Sequence, residues 1–137
     1  MKKVLYIFVQ CTWGFFQTFI GLFFFLYNIK CEHRFYRCAI ETKWNYRGGL
    51  SLGMFIFTPT DKFENRDLIC VHEYGHTIQS LLLGPLMFFV GVISVIWGDL
   101  PYFEKLRREK GVPYTACFVE AWASKWGELV SKEKAIW

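Results

Sequence analysis

From Val4 to Tyr27 the chain runs 24 residues without a charge, directly behind Lys2 and Lys3. A helix of that length is about 36 Å long, enough for a hydrocarbon core of about 30 Å. The run predicts a transmembrane helix over 4–27. A cleaved secretory signal is the competing reading, but its apolar core is about 7 to 15 residues long and ends in small residues. This run ends in Phe23, Phe24, Phe25 and Leu26. Within it Gln10, Gly14, Gln17 and Gly21 recur at steps of four, three and four, along one helix face. Small and polar residues in an apolar helix mark a packing face, for another segment of the chain or for a second copy.

Leu86 to Trp97 is a second apolar block, and its 12 residues reach only about 18 Å as a helix. Alone it cannot span. Either 78–97 forms one kinked crossing, or the chain turns at Gly84 and Pro85 and returns as a helical hairpin. Upstream, Asp61 and Glu64 have capping-box spacing and Asn65 is a second N-cap candidate, so a helix starts between 61 and 66 and runs to Leu83. Leu50 to Phe57 reads as a strand or extended segment behind Gly48 and Gly49. Asn28 to Arg47 shows no period, and an amphipathic helix is expected over about 113–132.

With 137 residues the chain is expected to make one domain, and 53% hydrophobic with 20% aromatic residues argues against intrinsic disorder and favours a membrane protein. The net charge of +4 comes without a basic run, which argues against nucleic acid as a partner and leaves the lipid bilayer as the favoured one. Five cysteines form no paired spacing, so a disulfide framework is a poor reading; Cys31 with Cys38 is the one pair worth weighing.

Chemistry concentrates in His72-Glu73-Tyr74-Gly75-His76, an H-E-x-x-H inside the expected helix. Four residues advance about 400°, so both imidazoles leave one face within reach of one ion. Glu73 is placed to act on a zinc-bound water as the catalytic base. Catalytic zinc takes three protein ligands as a rule. Glu120 is the best candidate for the third, a carboxylate that follows Cys117, Phe118 and Val119 and wants a partner. Asp99, Glu128 and His33 are the alternatives.

The stretch 48–127 resembles a group of small uncharacterised bacterial membrane proteins built around an H-E-Y-G-H helix. The resemblance rests on Gly49 to Gly53, His72 to Ser80, Leu83 to Leu86, and Glu120 to Ala123. More broadly the chain resembles zincin metallopeptidases that take a glutamate from a later helix. That resemblance implies zinc bound by His72, His76 and Glu120, with Glu73 as base. Where such proteins tend to carry Asp four residues after the glutamate, this chain has Ser124.

All ligands must lie about 2 Å from one ion. A crossing over 78–97 would start Glu120 on the wrong side, so the hairpin is preferred. With the N-terminal helix as the one crossing, two Lys precede it, while seven Lys and Arg lie in 28–77 and seven in 78–137. That places the site in the cytoplasm. The expected architecture is mainly α and membrane-embedded: one N-terminal transmembrane helix, an HExxH helix with a helical hairpin, and a C-terminal amphipathic helix. It forms a single domain over 1–137, with the catalytic core in 48–128. The expected function is a membrane-bound zinc metallopeptidase acting on a peptide or protein substrate. The alternative is a non-catalytic membrane protein, an immunity or assembly factor, with a structural metal or none.

Overall fold

The computed structural model describes residues 2–137 and is mainly helical with one small sheet. In place of one straight helix over 4–27 stand α1 (Lys3–Thr12) and α2 (Phe15–Tyr27), bent by 100° at Trp13 and Gly14. Neither piece alone reaches across a hydrocarbon core of about 30 Å. The bend satisfies the polar stripe. Buried Gln10 donates from Nε2 to the Thr77 carbonyl (2.9 Å) and accepts from Ser80 Oγ (3.1 Å), so α1 lies along the later helix. Gln17, beyond the bend, donates to the Gly84 carbonyl at 2.6 Å. Gly21 lies so close to the sheet that a Cβ there would sit 2.5 Å from the Leu52 carbonyl oxygen. The stripe is an intramolecular packing face.

Residues 32–59 form a sheet, of which only the stretch 50–57 was expected to be extended. Strands β1 (Glu32–Tyr36), β2 (Ala39–Trp44), β3 (Leu50–Leu52) and β4 (Phe55–Pro59) lie in the order β1-β2-β4-β3, with β2 and β4 parallel and the outer pairs antiparallel. The β1–β2 loop puts Arg37 at φ 55, a position that ordinarily calls for glycine. Arg37 is held there by its bond to the Ser131 carbonyl (2.6 Å) and its ion pair with Glu133. The stretch 50–57 is two strands rather than one, turned at Gly53 with φ 60. No disulfide joins Cys31 to Cys38.

Helix α3 (Arg66–Leu83) begins within the expected window and ends at the expected residue. Its start is fixed by ion pairs, because neither Asp61 nor Asn65 caps it. Asp61 binds Lys43 at 2.7 Å, and Arg66 meets the fully buried Glu41. Glu41 also accepts from Thr58 Oγ1 (2.7 Å) and pairs with Arg34, which ties β2 and β4 to the head of α3.

A single 3₁₀ turn (Gly84–Leu86) leads into α4 (Met87–Asp99). By length and composition the helical run Arg66–Asp99 is long and apolar enough to cross a membrane, with mean hydropathy 2.2 over its most apolar window. It is not straight. Gly84 has φ 50 and ψ −124, outside helical space, and Ser94 donates to the same Glu120 carboxylate that lies 3.0 Å from His72 Nε2. A straight helix would hold residues 72 and 94 about 33 Å apart. The chain therefore folds back at Gly84 and Pro85 as a helical hairpin. Met87 and Val90 of α4 pack on Val119. The C-terminal region holds α5 (Pro101–Lys110), which patterning did not anticipate, then a 3₁₀ turn (Tyr114–Ala116) and α6 (Phe118–Ser131). α6 starts five residues later than expected.

Candidate metal centre

Two glycines bring α3 and α6 into backbone contact. A Cβ on Gly75 would overlap the Ala123 carbonyl oxygen and lie 2.6 Å from its carbon; one on Gly127 would overlap the Val71 carbonyl oxygen. No side chain separates the helices there. Glu120, in the first turn of α6, thereby reaches the two imidazoles of α3.

Glu120 Oε2 lies 3.0 Å from His72 Nε2 and 3.4 Å from His76 Nε2, and these three atoms can hold a metal ion. All three side chains are buried. Burial alone would raise the Glu120 carboxyl, but where His72 and His76 carry a proton on Nε2 they donate to it, which outweighs burial and holds the group well below the usual carboxylate range.

The outer nitrogens of the imidazoles fix what the inner ones offer. Ser124 Oγ donates to the Ile136 carbonyl (2.6 Å), so toward His72 Nδ1, 2.8 Å away, it presents a lone pair and accepts. Gln79 Nε2 donates to the Val119 carbonyl (2.9 Å), which turns Gln79 Oε1 toward His76 Nδ1 at 2.7 Å. In each neutral ring the proton therefore sits on Nδ1 and the lone pair on Nε2. Two bare nitrogens and a carboxylate oxygen converging in a buried space repel one another unless a cation or a proton lies between them. That donor set suits a divalent transition metal, for which imidazole nitrogen and carboxylate oxygen are ordinary ligands.

Glu73 is buried beside this set, with its carboxylate against Gly49 and within hydrogen-bonding reach of Ser51. A Cβ on Gly49 would lie 2.7 Å from Glu73 Cγ, so the glycine makes room for the acid. Tyr114 packs edge-on over His72 with ring centroids 6.4 Å apart.

The remaining candidate ligands lie elsewhere. His33 is bonded to Thr42 Oγ1 (2.9 Å) and the Ile29 carbonyl, Glu128 accepts from Trp137 Nε1 (2.9 Å) and the Ala135 amide, and Asp99 is exposed at the end of α4. Sequence reasoning missed Gln79, Ser94 and the Ile136 carbonyl. Gln79 carried a signal, since it lies three residues after His76 on the same helix face. The Ile136 carbonyl carried none, because a backbone acceptor has no residue identity. Comparison with known proteins finds no family whose model matches the chain, and no similar curated protein or solved structure.

Proposed function

We propose that this chain is a membrane-bound zinc metallopeptidase that hydrolyses peptide bonds, with its site on the cytoplasmic side. The observation that carries the reading is the convergence of His72 Nε2, His76 Nε2 and Glu120 Oε2, with both ring protons held on the far nitrogens by Ser124 and Gln79. His72, His76 and Glu120 would hold the ion. Bound zinc supplies the Lewis acidity that makes a water nucleophilic near neutral pH. Glu73 would accept a proton from the attacking water on its carboxylate and return it to the departing amide nitrogen. Gly49 and Ser51 fix where the carboxylate points. β3, an edge of the sheet adjoining Glu73 through Gly49 and Ser51, offers a ladder to which an extended peptide adds as a strand.

The test is metal content and hydrolysis measured on the same preparations. The wild type should carry one zinc per chain, and His72→Ala and Glu120→Ala should lose it. Glu73→Gln should keep the metal and lose hydrolysis of a peptide library. A wild-type protein with zinc and no hydrolysis would move the assignment to the second reading, a non-catalytic membrane protein with a structural metal. That reading is favoured by one feature: His72, Glu73, His76 and Glu120 are all less than a tenth exposed.

A further inference from the structure

Each of the two helical pairs returns to the level from which it starts. At the start of α1, Lys3 Nζ lies 5.7 Å from the centre of the Phe35 ring, and at the end of α2, Phe25 packs on His33 with centroids 4.6 Å apart. Phe35 and His33 are two residues apart on β1, a spacing of roughly 7 Å. Helices whose outer ends meet one strand at that distance cannot have those ends on opposite faces of a layer about 30 Å thick. The α3–α4 pair returns in the same way, since Ser94 and His72 share Glu120.

The two bends meet at the far end. Trp13 Nε1 donates to the Leu82 carbonyl (3.4 Å), and Gln17 Nε2 donates to the Gly84 carbonyl (2.6 Å). On the helices that lead to and from them large apolar side chains point outward: Phe8, Phe16, Phe23, Phe88, Phe89 and Val95 are each more than half exposed. No charged residue occurs in 4–29 or 74–98, so every charge lies toward the sheet and the C-terminal helices. Twelve residues of helix separate His72 from Gly84, about 18 Å, against about 15 Å for the hydrocarbon of one leaflet.

We propose that the protein is monotopic: the joined bends insert into a single leaflet of a phospholipid bilayer, nothing crosses, and the metal centre sits at headgroup depth on the same side as both ends of the chain. This rests on the membrane half of the function proposed above and is independent of its peptidase half. All 16 Lys and Arg then face one side, in place of the two-sided split expected from the sequence.

The experiment labels single cysteines with a membrane-impermeant maleimide in sealed vesicles, before and after permeabilisation. Cys11, Cys31 and Cys117 are replaced by Ser, while the buried Cys38 and Cys70 stay. Lys3→Cys and Lys134→Cys should label from the same side, and Phe16→Cys, at the bend, from neither. Labelling of Lys3→Cys and Lys134→Cys from opposite sides, or of Phe16→Cys from the side opposite Lys134→Cys, overturns the proposal. Recovery of the wild type in the soluble fraction overturns it too and leaves the metal reading standing. A protein without zinc that labels as expected sinks the peptidase and leaves the insertion intact.

Discussion

Replacing Gly75 by Ala should deprive the metal centre of its third ligand while leaving the fold in place. The added Cβ would lie 2.6 Å from the Ala123 carbonyl carbon, and backbone cannot rotate aside. Carbon pairs rest at about 3.5–4.0 Å, so α3 and α6 must separate by about 1 Å. Glu120 stands one turn from Ala123 on the same helix and moves with it, whereas ligand distances tolerate only about ±0.2 Å. Overpacking of this kind costs about 1–3 kcal/mol, and Ala returns about 1 kcal/mol of helix propensity, so the variant stays folded. Losing the placement of a ligand should weaken zinc by on the order of 100-fold, at least the effect of losing an orienting neighbour. Zinc competition against a chelating dye in detergent reads the affinity, with circular dichroism as the check on folding. Gly91→Ala is the control, because a Cβ there meets nothing within 4 Å. Undiminished zinc affinity in a folded Gly75→Ala would refute the argument that the glycine sets the reach of Glu120.

Ser124→Ala removes the acceptor for His72 Nδ1–H and should weaken zinc by about 10- to 100-fold with little change in helix content, read by the same competition. Deleting Ile136 and Trp137 removes the carbonyl that orients Ser124 and should act in the same direction, by a smaller factor. Glu41 is fully buried, and although burial alone would raise its carboxyl, bonds from Arg34 and Thr58 and the charge of Arg66 hold it below the ordinary 4.5. A lowered folded value stabilises the fold above about pH 4.5 and loses that contribution as pH falls through it. Glu41→Gln should therefore cost on the order of 3 kcal/mol at pH 7, with the gap closing in melting curves taken below pH 4. Stripping the metal with a chelator should lower the melting temperature, since an ion held at 1,000 times its Kd contributes about 4 kcal/mol.

The helical half of the molecule was legible because its signals are local. The turn at Gly84-Pro85, the reach of α3 to Leu83 and the pairing of Glu120 with two histidines four residues apart all follow from residues close in sequence, or from the demand that one ion be shared. The sheet was legible only in its extended stretch 50–57. Its central pair β2–β4 is parallel and joined across β3, and its tight turn uses Arg37, whose positive φ is sustained by Ser131 and Glu133 from the other end of the chain. The charge-free run 4–27 misled for a related reason. Hydropathy counts residues along a line, whereas the bend at Trp13 and Gly14 goes with polar atoms of α3 and of Gly84 just beyond it that Gln10 and Gln17 reach.

The same logic would let Ser124 serve where a zincin resemblance leads one to expect Asp. What His72 needs on its outer nitrogen is an acceptor, and a hydroxyl serves only if its own proton is committed elsewhere. Ile136 supplies that commitment by accepting from Ser124 Oγ, and the Ile136 amide is anchored in turn on the Leu68 carbonyl at 3.2 Å, back on α3. Gln79 plays the matching part for His76, with Val119 fixing its amide. Each imidazole is thus oriented by a side chain whose spare group is tied to α6 or to the segment behind it. α6 therefore supplies one ligand and helps orient the other two, so assembling the donor set and docking α6 on α3 are one event. A cation that binds the assembled set should hold that interface closed, which couples metal loading to folding rather than adding it afterward.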